Sequence, residues 1–222
     1  VVRSPRPHAR IVRIDATAAR DRPGVLAVLT GDDAVADGLG TIPNIVPRNH
    51  RDGSPMFVPP HTILAVERVR YVGECVVLVI AETFEIAAEA ADLIVVDYED
   101  LPFVTDTAAA ARPGAPAIWE EAPDNNAFFF ELGDKDAVDA AFERAAHVVE
   151  TDFVISRITA NPMEPRAAVG HYSARDERWT LHANVQHPHT VRGIICGSLL
   201  KVPEHRLRII APDVGGSFGM KG

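Results

Sequence analysis

The stretch from residue 76 to residue 98 constrains the fold of this chain more than any other. Residues 76–81 form an unbroken apolar run, Val-Val-Leu-Val-Ile-Ala, suited to a strand buried on both faces. Residues 82–93 carry Ala and Ile at helical spacing behind Thr83, which stands where a helix cap belongs, and residues 94–98 are a second β-branched run. Strand, helix and strand with short joints predict an α/β unit. Before it, residues 11–14 and 25–30 predict strands separated by a polar segment that closes on Pro23-Gly24. Residues 31–61, rich in Gly, Pro and Asn, predict an irregular surface excursion.

Composition shifts at Pro102 and becomes rich in Ala, Pro and Gly to about Ala127, with no fitted period, which reads as a linker. Beyond it a helix is predicted over 136–146, with Val138, Ala141, Phe142 and Ala145 on one stripe. A strand follows over 148–156. A hairpin joins 167–173 to 178–184 through the polar turn Ala174-Arg175-Asp176-Glu177, a buried helix covers 191–200, and a strand covers 207–210. At 222 residues the chain has room for about one and a half domains of ordinary size.

The charge balance excludes some partners. Lys and Arg number 22 against 31 Asp and Glu, a net charge of −9 that repels nucleic acid and anionic membranes. No apolar run approaches the ~20 residues that span a bilayer. The two cysteines, Cys75 and Cys196, lie far apart in apolar runs with no metal or redox spacing, and read as buried free thiols of a cytoplasmic protein.

Four segments are candidates for chemistry. Asp213-Val214-Gly215-Gly216-Ser217-Phe218-Gly219-Met220-Lys221-Gly222 follows a predicted strand; its glycines let backbone N–H groups approach an anion or flat cofactor. It matches neither the P-loop nor the dinucleotide fingerprint, so a plain tight turn and a ligand cradle stand as equal alternatives. Gln186-His187-Pro188-His189 offers an amide, at once donor and acceptor, at the start of a helix. Its two histidines lack a third ligand at a defined spacing and read as surface or capping residues, so no metal site is expected. In Asn161-Pro162-Met163-Glu164-Pro165-Arg166, Glu164 and Arg166 either pair with each other or line a site. Phe128, Phe129 and Phe130 read as core and interface filler.

Taken in order, these segments resemble the molybdenum-binding large subunit of the xanthine dehydrogenase, aldehyde oxidase and aerobic carbon monoxide dehydrogenase superfamily. Val2-Arg3-Ser4-Pro5-Arg6-Pro7-His8-Ala9-Arg10-Ile11, Pro23-Gly24-Val25, Val69-Arg70-Tyr71-Val72-Gly73-Glu74 and Val96-Asp97-Tyr98-Glu99-Asp100-Leu101-Pro102 are similar to its N-terminal a/b hammerhead domain. Met163-Glu164-Pro165-Arg166, Gln186-His187-Pro188-His189 and the Gly-rich run are similar to the start of its molybdopterin-binding domain. The resemblance implies an α/β (α+β) chain divided into a hammerhead domain (1–103), a linker (104–126) and the N-terminal part of a molybdopterin-binding α+β domain (127–222).

It further implies that Gly215, Gly216, Phe218 and Gly219 contact a molybdopterin cofactor, of the cytosine dinucleotide form, and that Gln186 hydrogen-bonds an oxo ligand of the metal. A buried neutral amide suits that task because it donates without changing charge. Two positions depart from the commoner pattern: Ser217 and Met220 stand where the family usually has Gly. The implied activity is oxidation of an aldehyde, an N-heterocycle or carbon monoxide with water-derived oxygen, electrons passing to Fe–S and FAD on a small and a medium partner subunit. The family's general-base Glu belongs to a later segment, so the chain reads as an N-terminal fragment, inactive alone, with apolar faces such as that of the 191–200 helix left unpartnered. Two alternatives are a non-catalytic assembly module and a free-standing Gly-loop nucleotide binder.

Overall fold

The structure is a computed structural model that describes residues 1–155 and 159–222. In chain order the N-terminal half contains β1 (Val2–Arg3), β2 (Ala9–Asp15), α1 (Thr17–Arg20), β3 (Val25–Thr30), α2 (Gly31–Ala36), β4 (Arg68–Val69), β5 (Cys75–Ala81), α3 (Phe84–Asp92) and β6 (Val95–Asp100). The C-terminal half contains α4 (Thr107–Ala110), α5 (Lys135–Arg144), β7 (Ala168–Ser173), β8 (Arg178–Ala183), α6 (Pro188–Gly193), a π-helical stretch (Ile194–Leu200), a 3-10 turn (Glu204–Arg206) and β9 (Leu207–Ile210).

The elements of the 76–98 unit form where expected, and Thr83 caps α3 by accepting from the Ile86 N–H. Their pairing differs from the α/β expectation. β5 is the centre of one antiparallel sheet, ordered β1-β5-β3, whereas β6 is an edge of a second, ordered β4-β2-β6. The helix therefore carries the chain from one sheet to another rather than between parallel neighbours. Apolar runs report burial, not partners, and only part of β5 is buried: Val76, Val77 and Val79 face the core while Ile80 is exposed.

One core holds the two sheets together. Val69, Val76 and Val77 are wholly buried with Ala9, Ala19 and Ala90, and Ile11, Ile14 and Val96 pack against them. Each such valine contributes roughly 1.5–3 kcal/mol. Bulges in β2 and β3 take up one extra residue each, between Ile11 and Arg13 and between Val25 and Ala27, so Val12 and Leu26 turn outward. His8 closes the unit: its backbone carbonyl accepts from the Leu101 N–H at 3.0 Å, and its Nδ1 meets the Pro102 carbonyl at 2.8 Å. The other ring nitrogen is buried and, among the described residues, has no partner.

Other expectations are corrected. The 31–61 excursion begins with α2, held by a capping box between Thr30 and Asp33, and is tied by isolated bridges Ile42–His61 and Asn49–Pro55. It lies along the Ala-rich segment: Phe57 N–H donates to the Ala127 carbonyl, and the Phe57 and Trp119 rings meet edge to face at 5.9 Å. That segment has its own order. Asp106 caps α4, and the Asn125 amide bonds the Ala110 and Pro116 carbonyls and the Ile118 N–H.

Residues 148–155 form no strand, because no strand among the described residues pairs with them; Ser156 lies outside the described residues. Phe128, Phe129 and Phe130 are exposed rather than core filler, Phe130 lying under the Arg48 guanidinium. The helix expected over 191–200 starts at Pro188 and widens into the π-helical stretch from Ile194. Its apolar side chains are half-buried rather than bare. Cys196 is buried, its thiol pushed up by burial, but Cys75 is only half-buried and accepts a contact from Arg3. No helix is long and apolar enough to cross a membrane among the described residues.

Candidate functional site

The third sheet positions the site. β7 and β8 pair as the expected hairpin, Ala168 opposite Ala183 and Ser173 opposite Arg178. β9 pairs with β8 in parallel, Leu181 beside Ile209 and His182 beside Ile210, after a crossover through α6 and the π-helical stretch. Loops leaving the carboxyl ends of neighbouring parallel strands open on one edge, where α/β sheets place their ligands. Gln186 lies on the loop after β8, the Gly-rich run follows β9, and Glu164 lies on the segment entering β7 at the same edge. Topology thus brings together three segments far apart in sequence.

Hydrogen bonds fix their mutual position. The Gln186 N–H donates to the Lys221 carbonyl at 2.6 Å, and the Ser217 hydroxyl donates to Gln186 Oε1 at 2.5 Å. The same hydroxyl accepts from the Lys221 N–H at 3.2 Å. Glu164 Oε2 accepts from the Gly215 N–H at 2.7 Å and from Lys221 Nζ at 2.5 Å. The Lys221 side chain is fully buried while that of Glu164 is 37% exposed, so the pair is desolvated from the lysine side. The Lys221 ammonium and then the Gly215 N–H hold the Glu164 carboxyl below its ordinary range, against a smaller opposing effect of burial. Glu164 therefore pairs with Lys221, not with Arg166.

The loop backbone is tightly specified. At Gly215 an added Cβ would fall 2.8 Å from Glu164 Cβ, so the carboxylate reaches its N–H only because no side chain intervenes. At Gly216, φ is +85°, and an added Cβ would fall 2.8 Å from the Phe218 ring folded over it. The Met220 N–H closes a turn on the Ser217 carbonyl, with Phe218 at φ 50° and Gly219 at φ 81°, both left-handed as in a type I′ turn. A bulky aromatic residue in that region costs roughly 1–2 kcal/mol, so the loop is strained where Phe218 projects to solvent.

These bonds leave a particular set of donors. Among the described residues, the N–H groups of Gly216, Ser217, Phe218 and Gly219 have no protein acceptor, and neither has the amide nitrogen of Gln186. Four consecutive backbone donors and one neutral amide suit an oxygen-rich, anionic group, and with the glycine cradle they fit the phosphate and oxo oxygens of a molybdopterin cofactor. Gln186, Gly215, Phe218 and Gly219 are exposed, contrary to the buried amide expected, because nothing among the described residues covers this edge. His187 caps α6 by position only, and His187 and His189 are both exposed. Among the described residues no three His, Cys, Asp or Glu side chains converge to hold a metal ion.

Sequence reasoning missed Lys221 and the contacts of Ser217. A lysine following a stretch uncharged from Val214 to Met220 was the one visible signal. A short turn between Glu164 and its partner would have exposed the pair, but 57 residues separate them.

Residues 1–102 match the aldehyde oxidase and xanthine dehydrogenase a/b hammerhead domain, and residues 118–222 match the molybdopterin cofactor-binding domain. The chain is 34% identical to the carbon monoxide dehydrogenase large chain of Afipia carboxidovorans, over 99% of this chain and 27% of that protein. It is 38% identical to the nicotine 6-hydroxylase large subunit of Paenarthrobacter nicotinovorans, over 99% of this chain and 26% of that protein. Among solved structures, quinoline 2-oxidoreductase from Pseudomonas putida 86 superposes with a TM-score of 0.78 at 32% identity, covering 99% of this chain and 27% of that one. The chain thus spans about a quarter of the length of these relatives.

Proposed function

The chain belongs to the aldehyde oxidase and xanthine dehydrogenase superfamily, and on that premise we propose that it forms the hammerhead domain and the opening of the cofactor domain of a molybdenum hydroxylase large subunit. The observation that carries this reading is the meeting of the Gln186 amide with the Gly-rich run, four of whose N–H groups have no protein acceptor among the described residues. We divide the chain at 1–103, 104–126 and 127–222. The first boundary is supported by His8, which ties the start of β2 to Pro102.

Bound at this edge, a molybdopterin cofactor supplies a two-electron redox centre and the oxygen that substrate acquires. The chain's own residues bind and orient. Gly216, Ser217, Phe218 and Gly219 present backbone donors, Gln186 presents a donor that keeps its charge through a redox cycle, and the Phe218 ring shields Gly216. Glu164 is the carboxylate bonded to this cluster among the described residues, and both Lys221 and the Gly215 N–H engage it, so it does not serve as base. That base comes from outside these residues, and this stretch alone binds without turnover.

The reaction we assign is oxidation of an aldehyde, an N-heterocycle or carbon monoxide with water-derived oxygen. Its electrons pass to Fe–S and FAD on small and medium partner subunits, and its cofactor takes the cytosine dinucleotide form. The relatives bearing the names large chain and large subunit support the multisubunit reading. Free Cys75 and Cys196 support a reducing, cytoplasmic setting. Metal and pterin analysis of the purified full-length protein tests the proposal. Stoichiometric molybdenum and pterin, lowered in Gln186→Ala, are expected; a protein devoid of both overturns it.

A further inference from the structure

We propose that Ser217 is a positioning residue that sets which half of the Gln186 amide faces the ligand edge. An amide is asymmetric: its oxygen only accepts and its nitrogen only donates. Rotating it by half a turn about its last side-chain bond exchanges the two at almost no steric cost, so a neighbouring group must break the tie.

Ser217 does so. Its oxygen accepts from the Lys221 N–H at 3.2 Å, and its single proton goes to Gln186 Oε1 at 2.5 Å. In the reversed orientation the NH2 group can still donate to the hydroxyl's second lone pair, but the hydroxyl proton loses its acceptor among the described residues, so the orientation with Oε1 toward Ser217 satisfies one more group. The Gln186 main chain is held by the same loop, its N–H on the Lys221 carbonyl at 2.6 Å, so backbone and side chain are clamped together. With Oε1 engaged, Nε2 adds its donors to those of Gly216, Ser217, Phe218 and Gly219, giving a field of one sign. Glycine at 217 keeps the loop backbone but lacks this device, so Ser217 is a gain in specification rather than a requirement of the turn. The functional meaning rests on the cofactor reading above; the orientation itself does not.

Two measurements separate them. In the cofactor-free protein, Ser217→Ala is expected to move the Gln186 side-chain carbonyl 13C resonance upfield and to lower the order parameter of its amide, with Ser217→Thr restoring both. In the cofactor-loaded full-length protein, the same Ala variant is expected to keep its molybdenum and pterin content yet to shift and broaden the Mo(V) electron paramagnetic resonance signal, again restored by Thr. Gln186 resonances unchanged in Ser217→Ala overturn the proposal, as does an unchanged Mo(V) signal in a fully loaded variant. Wild-type protein without molybdenum or pterin overturns the cofactor reading instead, while the cofactor-free measurement still decides the orientation.

Discussion

Glu164 shows how one carboxylate sets the shape of a loop. Its oxygen joins the Gly215 N–H to the buried Lys221 ammonium, and both favour the ionised form. Because the folded pKa lies below the ordinary 4.5, the stabilisation is fully present above that value. It is lost as pH falls through the lowered folded value. Amide exchange at Gly215 is therefore expected to stay slow from neutral pH to below 4.5 and to speed beyond the intrinsic trend under stronger acid. Glu164→Gln keeps the shape and removes the charge, so it is expected to expose the loop at every pH and to abolish the acid transition. An unchanged exchange profile in that variant counts against the anchor. None of this was readable beforehand: sequence placed Glu164 beside Arg166, and neighbours in sequence are poor guides to partners across a sheet edge.

Elements were legible in proportion to how local their cause is. The β7–β8 hairpin follows from its polar turn, and α3 from Thr83 and an apolar stripe, so both were found. The two-residue strands β1 and β4 are too short to show alternation. The π-helical stretch keeps the apolar pattern of an α-helix, so its wider winding left no trace. Helix α2 was missed although its signal was present: Thr30 accepts from the Asp33 N–H, and Asp33 accepts from the Thr30 N–H at 2.7 Å. Thr30→Ala is expected to cost about 1 kcal/mol, read as a lower urea midpoint with unchanged slope. No change would mean that α2 is held by its packing rather than its cap. The convergence of Gln186 with the Gly-rich run was likewise beyond sequence, because the parallel pairing of β8 with β9 creates it.

For the whole molecule, the apolar surface is unevenly covered. Phe153, Val154 and Ile155 are 83%, 96% and 92% exposed, and Phe142 and Val138 on α5 are also bare. Large apolar side chains left this bare, three of them consecutive, mark an interaction face. The 222-residue chain is expected to self-associate, with Val154→Lys plus Ile155→Lys shifting sedimentation toward monomer. A wild-type chain that sediments as a monomer at all concentrations would contradict this.

The latch between Lys221 and Glu164 also orders events in time. During synthesis the first two sheets have all their strands once Asp100 has emerged, and the bonds of His8 to Leu101 and Pro102 close the unit directly afterwards. The ligand edge cannot close until Lys221 leaves the ribosome, because that lysine reaches back to Glu164 and its carbonyl receives the Gln186 N–H. A nascent protein therefore acquires a folded scaffold well before the Gly-rich loop is latched.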